Sequence, residues 1–256
     1  MEHLPELAVW AWALLALAAL VVGVSKTALP GANTVSIAIF ASILPAKSST
    51  GALLLLLIVG DMFALWSYRK HADWPTLVRL APAVVVGIAL GVLFLAVSGD
   101  GGVRRVIGAI LLLLVGVTLW LRRAAARSGG GSGSGSGTGR LTRAGFGSLA
   151  GFTTMVANSG GPVMSMYFLA ANFPIKAFLG TAAWFFALVN LSKVPFSIGL
   201  GLITVPNLVL DLVLVPGVVM GAFLGRWIAG RIPQRAFDLA ILALTVLGAL
   251  YLLIVP

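Results

Sequence analysis

Apolar runs about as long as a bilayer is thick fill this chain, separated by short stretches that hold the charges, glycines and prolines. The first run, residues 8–24, is rich in Ala, Leu and Trp and breaks off around Ser25, Lys26 and Thr27. Beyond Pro30 and Gly31, residues 34–44 are apolar but too few to cross a membrane at about 1.5 Å per residue. The two pieces read as a hairpin or a discontinuous helix. Residues 51–68 form a full-length run with Asp61 inside it, closed by Arg69, Lys70, His71 and Asp73. Residues 75–97 and 105–121 predict two more spans, divided by Gly99, Asp100, Gly101 and Gly102. The pattern then recurs as an apolar run over 144–157, a break, a short segment over 163–172, and spans near 177–198, 205–228 and 236–254.

Residue matches accompany the recurrence. Pro45-Ala46-Lys47 and Pro174-Ile175-Lys176 both follow the short segment, and Pro75 and Pro206 both open a span. Pro82, Gly87 and Gly91 keep the internal spacing of Pro216, Gly221 and Gly225. The expected organisation is a first membrane repeat over 1–121, an Arg/Ser/Gly linker over 122–143 and a second repeat over 144–256. A Ser/Gly core of this kind is a flexible connector.

Composition sharpens the class. The chain is 60% hydrophobic and 9% charged, against about 25% charged in an average soluble domain. The expectation is an all-α integral membrane protein whose 256 residues allow eight to ten membrane segments, most of them about 20 residues long. A net charge of +10 raises nucleic acid as a partner, but the bases sit in short loops between apolar runs and read as topology signals instead. With the N-terminus outside, Arg69, Lys70, Arg79, the five linker arginines, Lys176, Arg226, Arg231 and Arg235 fall on the cytoplasmic side, twelve in all. Only Lys47, Arg104 and Arg105 fall outside. That bias predicts periplasmic termini, a cytoplasmic linker and a second repeat inverted relative to the first. The acidic opening MEHLPEL, with no small-residue cleavage site after the first run, argues against a cleaved signal peptide. Without cysteine, and with His3 and His71 as the only histidines, neither disulfides, a metal site nor another cofactor is expected.

Candidate chemistry gathers at the two breaks, GVSKTALPGAN over 23–33 and GFTTMVANSGGP over 151–162. Backbone that leaves a helix at membrane depth must face protein or a watered cavity, so paired breaks mark a binding site. Pro30 and Pro162 suit the first turn of a new helix, whose free N–H groups and partial positive charge favour an anion. Ser25, Thr27, Asn33, Thr153, Thr154, Asn158 and Ser159 then either bind that anion or simply cap the broken helices. Lys26 and Lys193 are charges inside apolar segments and suit an anionic substrate. Snorkelling is the plain alternative for Lys26, and a local helix end at Pro195 the plain alternative for Lys193. Asp61, matched by Asn190 in the second repeat, is either a proton relay or, preferably, a structural partner of Lys26 or Lys193. Asp211 reads as a gate residue or part of a hydrated outer mouth.

Three blocks, GVSKTALPG, VGDMFALWSYRKHADW and ANSGGPVMSMYFLA, resemble the corresponding motifs of the sulfite exporter TauE/SafE family, also described as a toluenesulfonate-uptake permease family. The resemblance covers nearly all of the chain outside the Ser/Gly linker. It implies a bacterial inner-membrane transporter for sulfite, sulfonates such as sulfoacetate, or related sulfur anions. Together with the inverted repeat, the expectation is a secondary transporter working outward by alternating access. The expected substrate-binding set is Ser25, Lys26, Thr27, Asn33, Asn158, Ser159, Gly160 and Gly161, with Lys193 close by. Its expected partners are the lipid bilayer and a small anion, with a homo-oligomer left open. An anion channel on the same scaffold is the first rival. An intramembrane enzyme is the second, weakened because Ser25 and Lys26 are adjacent rather than facing each other.

Overall fold

The computed structural model describes residues 7–28, 32–127, 139–171 and 173–228. These form α1 (Val9–Thr27), α2 (Asn33–Ile43), α3 (Ala46–Tyr68), α4 (Trp74–Val97), α5 (Asp100–Arg127), α6 (Arg140–Ala157), α7 (Gly160–Ala170), α8 (Ile175–Gly199) and α9 (Val205–Ile228). No strand occurs among the described residues, and five of these helical stretches are long and apolar enough to cross a membrane. The chain is a multi-pass membrane protein. Pro30, Gly31, the Ser/Gly core of the linker and the span expected over 236–254 lie outside the described residues.

Local chemistry sets the helix ends. Asp73 caps α4, its carboxylate accepting from the Thr76 N–H at 2.8 Å, with Pro75 in the first turn. The start of α3 is capped from a distance: the Asp100 carboxylate accepts from the N–H groups of Ala46 at 3.0 Å and Lys47 at 2.9 Å. Asn158, at φ 51° and ψ 24°, ends α6 in the left-handed conformation that asparagine tolerates better than most residues.

Two expected boundaries move. Helix α1 does not stop at Val24 but carries Ser25, Lys26 and Thr27 as its last turn, because these polar groups find partners in protein: Thr27 Oγ1 donates within reach of the Gly23 and Ala222 carbonyls, at 3.1 and 3.0 Å. Helix α8 runs through Pro195 to Gly199, so the proline does not end it. One lost ladder bond is tolerated in a membrane helix, as it is at Pro82 in α4 and Pro216 in α9.

Glycines dictate the packing. A Cβ on Gly23 of α1 would collide with the Val218 carbonyl, the Ala222 nitrogen and Gly221 of α9. One on Gly151 of α6 would collide with the Val84 carbonyl, the Ile88 nitrogen and Gly87 of α4. Helix α1 therefore lies directly against α9 and α6 directly against α4. Both pairs are parallel, since Gly217, Gly221 and Gly225 meet α1 in ascending order, around Ala16–Ala19, Leu20 and Val24. Helix α3 runs antiparallel to α8 between these pairs. Gly180 sits beside Tyr68 and His71 at one end, Asp61 meets Asn190 midway, and Gly51 meets Leu202 at the other end. The interior is filled by Leu15, Phe40, Leu53, Leu56, Leu80, Met155 and Phe168, all fully buried. Val85, Leu93, Leu212 and Met220 point outward, where a bilayer would solvate them.

Candidate functional site

The end of α1, the start of α2 and the α6–α7 turn converge beside α3 and α8. Lys26 Nζ lies 2.6 Å from Asp61 Oδ1 and 4.7 Å from the centre of the Phe186 ring, while Asp61 Oδ2 accepts from Asn190 Nδ2 at 2.7 Å. The Lys26 side chain is 9% exposed and that of Asp61 1%. Both carboxylate oxygens are thus occupied by donors, one of them charged, which is what a buried ion pair needs to be tolerated. Of the two lysines weighed as its partner, Lys26 is the one paired with Asp61.

Lys193 is fully buried, and among the described residues no carboxylate forms an ion pair with it. Its ammonium donates to the Thr154 carbonyl and to Asn158 Oδ1, both at 2.6 Å, with Thr154 Oγ1 and Asn190 Oδ1 further off at 3.5 Å. The Thr154 carbonyl belongs to the last turn of α6, so the lysine sits at the negative end of that helix dipole. The left-handed turn at Asn158 aims its side chain at the same ammonium. Asn158 also donates from Nδ2 to the Thr50 carbonyl at 2.9 Å, and its own carbonyl accepts from Asn33 Nδ2 at 3.2 Å. A continuous polar chain therefore runs from Lys26 through Asp61 and Asn190 to Lys193 and Asn158. It holds two lysines and one aspartate.

A cavity opens on this chain. Ser25, Lys26, Asn33, Asn158, Ser159 and Gly161 of the expected set line it, together with Asp61. The other three sit elsewhere. Thr27 faces α9, Gly160 lets the start of α7 lie against Thr154, and Lys193 supports the wall from behind. Thr34, Pro162, Phe186 and Asn190 also line the cavity and were not singled out as site residues, and neither was Thr154 beyond its place among the break's hydroxyls. Asn190 was detectable, because Phe186, Asn190 and Lys193 recur at helical spacing along one face of an apolar segment. Phe186 alone carries no such signal.

Two buried groups on the cavity wall, Asn33 Oδ1 and Ser159 Oγ, have no hydrogen-bond partner. A hydroxyl there is a free donor at the first turn of α7, where Pro162 occupies the position expected of it and the leading N–H groups have no helical acceptor. The start of α2 differs from expectation: the described helix begins at Asn33, and Pro30 lies outside the described residues. Among the described residues no group of histidines, cysteines or acids is arranged to hold a metal.

The family model described as "Sulfite exporter TauE/SafE" matches residues 15–252. No curated protein and no solved structure matches the chain.

Proposed function

Because the chain belongs to the sulfite exporter TauE/SafE family of membrane transporters, we propose that it carries a small sulfur-containing oxyanion, of the sulfite, sulfonate or sulfoacetate class, out across the bacterial inner membrane. One observation carries the reading. Among the described residues the buried polar chain sets Lys26 and Lys193 against Asp61 alone, and the cavity on it also receives the unpartnered Ser159 hydroxyl and the start of α7. An anion entering there supplies the missing negative charge and accepts the idle donors. Asp61 keeps Lys26 in place between transport events, and Lys193 fixes the turn at Asn158 without touching substrate.

Alternating access through an inverted repeat is supported by the packing. Gly23 and Gly151 stand at matching places in the two breaks and meet matching atoms of α9 and α4, each the fourth helix of the opposite half. Two similar bundles that meet at one central site can rock about it.

The function is tested with purified protein against sulfite, sulfate, thiosulfate, sulfoacetate and taurine. A true substrate held at 100 times its Kd raises apparent stability by about 2.7 kcal/mol. In liposomes the same anion shows saturable flux and uphill movement. Flux that never saturates and never runs uphill makes the protein a channel, and no shift with any of the five anions ends the sulfur-anion reading.

Termini in the periplasm and the linker in the cytoplasm complete the proposal. Cysteines placed at His3 and Ser132 should react with an impermeant thiol reagent in intact cells at His3 only. Reaction at both positions would contradict the inverted arrangement.

A further inference from the structure

Asp211 is the buried acid that the site above does not use. It is 5% exposed on α9, and neither of its carboxylate oxygens has a hydrogen-bond partner, in contrast with Asp61, where both oxygens are satisfied. It ends a polar stripe. Thr204, Asn207 and Asp211 follow one another at helical spacing from the α8–α9 turn inward, with the Asn207 N–H 3.5 Å from Thr204 Oγ1. Asn207 is fully engaged, accepting from Ser48 Oγ at 2.9 Å and donating to the Ser48 and Leu202 carbonyls at 3.2 and 2.9 Å. Beyond Asp211 the same face is dry, with Leu214 and Val218 buried.

Among the described residues no charge answers it. Helix α9 packs on α1, whose single charged residue is Lys26, and on α3, which carries Lys47 and Asp61. Lys26 and Asp61 hold each other, Lys47 lies at the start of α3, and Lys193 of α8 is bound to the α6 turn. A carboxylate in a membrane interior is costly unless a cation, donors or water attend it, and a proton is the smallest counter-charge, one it can acquire without moving protein.

We propose that Asp211 is the proton-binding site through which transport is coupled to the proton gradient. This rests on the transport reading above. The step is a simple protonation: a carboxylate oxygen lone pair takes a proton from water admitted along the Thr204–Asn207 stripe and returns it to water later, with no bond of the substrate changed. The ionised form favours a conformation in which water reaches the stripe, and the protonated form favours the closed packing described here. Because Gly217, Gly221 and Gly225 of α9 bear directly on α1, that choice is transmitted to the helix that carries Lys26.

The test compares wild type with Asp211→Asn, an uncharged isostere, and Asp211→Glu in liposomes, using sulfite as probe. Asp211→Asn should keep sulfite exchange within about twofold of wild type. It should also lose at least tenfold of the accumulation driven by an imposed pH gradient, and Asp211→Glu should recover part of it. Infrared difference spectra on a pH change should show a protonated-carboxyl band in wild type that is absent from Asp211→Asn. Undiminished gradient-driven accumulation in Asp211→Asn, or a carboxyl band unchanged by that substitution, overturns the proposal. Absence of exchange in all three proteins with each of the five anions named above overturns the transport reading instead, and the infrared titration still decides whether Asp211 exchanges a proton.

Discussion

Lys26→Met is expected to lower the stability of the protein by about 3–5 kcal/mol, because it strands the Asp61 carboxylate in the interior with Asn190 as its remaining donor. The apolar stem is kept, so the loss belongs to the ammonium. Pairing the substitution with Asp61→Asn removes both charges and should restore most of the stability. The double variant is then the fair test of substrate contact. If the ammonium also touches the anion, sulfite affinity in the double variant falls by roughly ten- to more than a hundred-fold, the range of a charge-assisted hydrogen bond. Asp61→Asn alone should act with the opposite sign on binding, since it frees the ammonium and removes a competing negative charge. Melting temperature and affinity measured on all three decide the matter. A stable double variant with wild-type affinity would make Lys26 purely structural.

The second large effect belongs to the glycines of the α1–α9 and α4–α6 seams. A methyl group at Gly23 or Gly151 runs into backbone atoms of the facing helix, which cannot swing aside as a side chain can. Gly23→Ala and Gly151→Ala should therefore each destabilise by about 1–3 kcal/mol or more, despite the better helix propensity of alanine. Gly116→Ala, in α5 with no atom of the described residues within 4 Å of the added methyl, should instead be neutral or stabilise by up to about 1 kcal/mol. Thermal unfolding of the three variants in one detergent checks this. Serious damage at Gly23 with none at Gly151 would break the equivalence of the two seams.

Much of this was legible in the residues, and the remainder failed for identifiable reasons. Hydropathy located the long helices within a few residues, because lipid and protein interiors are alike in excluding charge. Asp61 and Lys26 were each visible as charges that an apolar segment cannot leave alone. What pattern misses is direction. Thr27 looks as good a ligand as Ser25, yet one turns to α9 and the other to the cavity, and spacing along a helix does not reveal which neighbour it will have. The same holds for the pairs Gly87/Gly91 and Gly221/Gly225. They announce two faces that admit close approach, but not that each face is met by the other half of the chain. Lys193 shows the limit in another way. Its place inside an apolar segment does not reveal that carbonyl and amide oxygens of the α6 turn accept from it.

The crossed seams bear on how the chain is made. Helix α1 leaves the ribosome before the other described helices, but the helix it is shaped to touch, α9, is the last of them to be synthesised, and α4 must likewise wait for α6. During that interval the glycine face of α1 has only lipid or the insertion machinery against it, and lipid cannot fill a groove cut for a backbone. The nascent first half is thus an incomplete object that becomes stable by being enclosed from behind. Its assembly is limited by the arrival of distant sequence rather than by the insertion of its own helices.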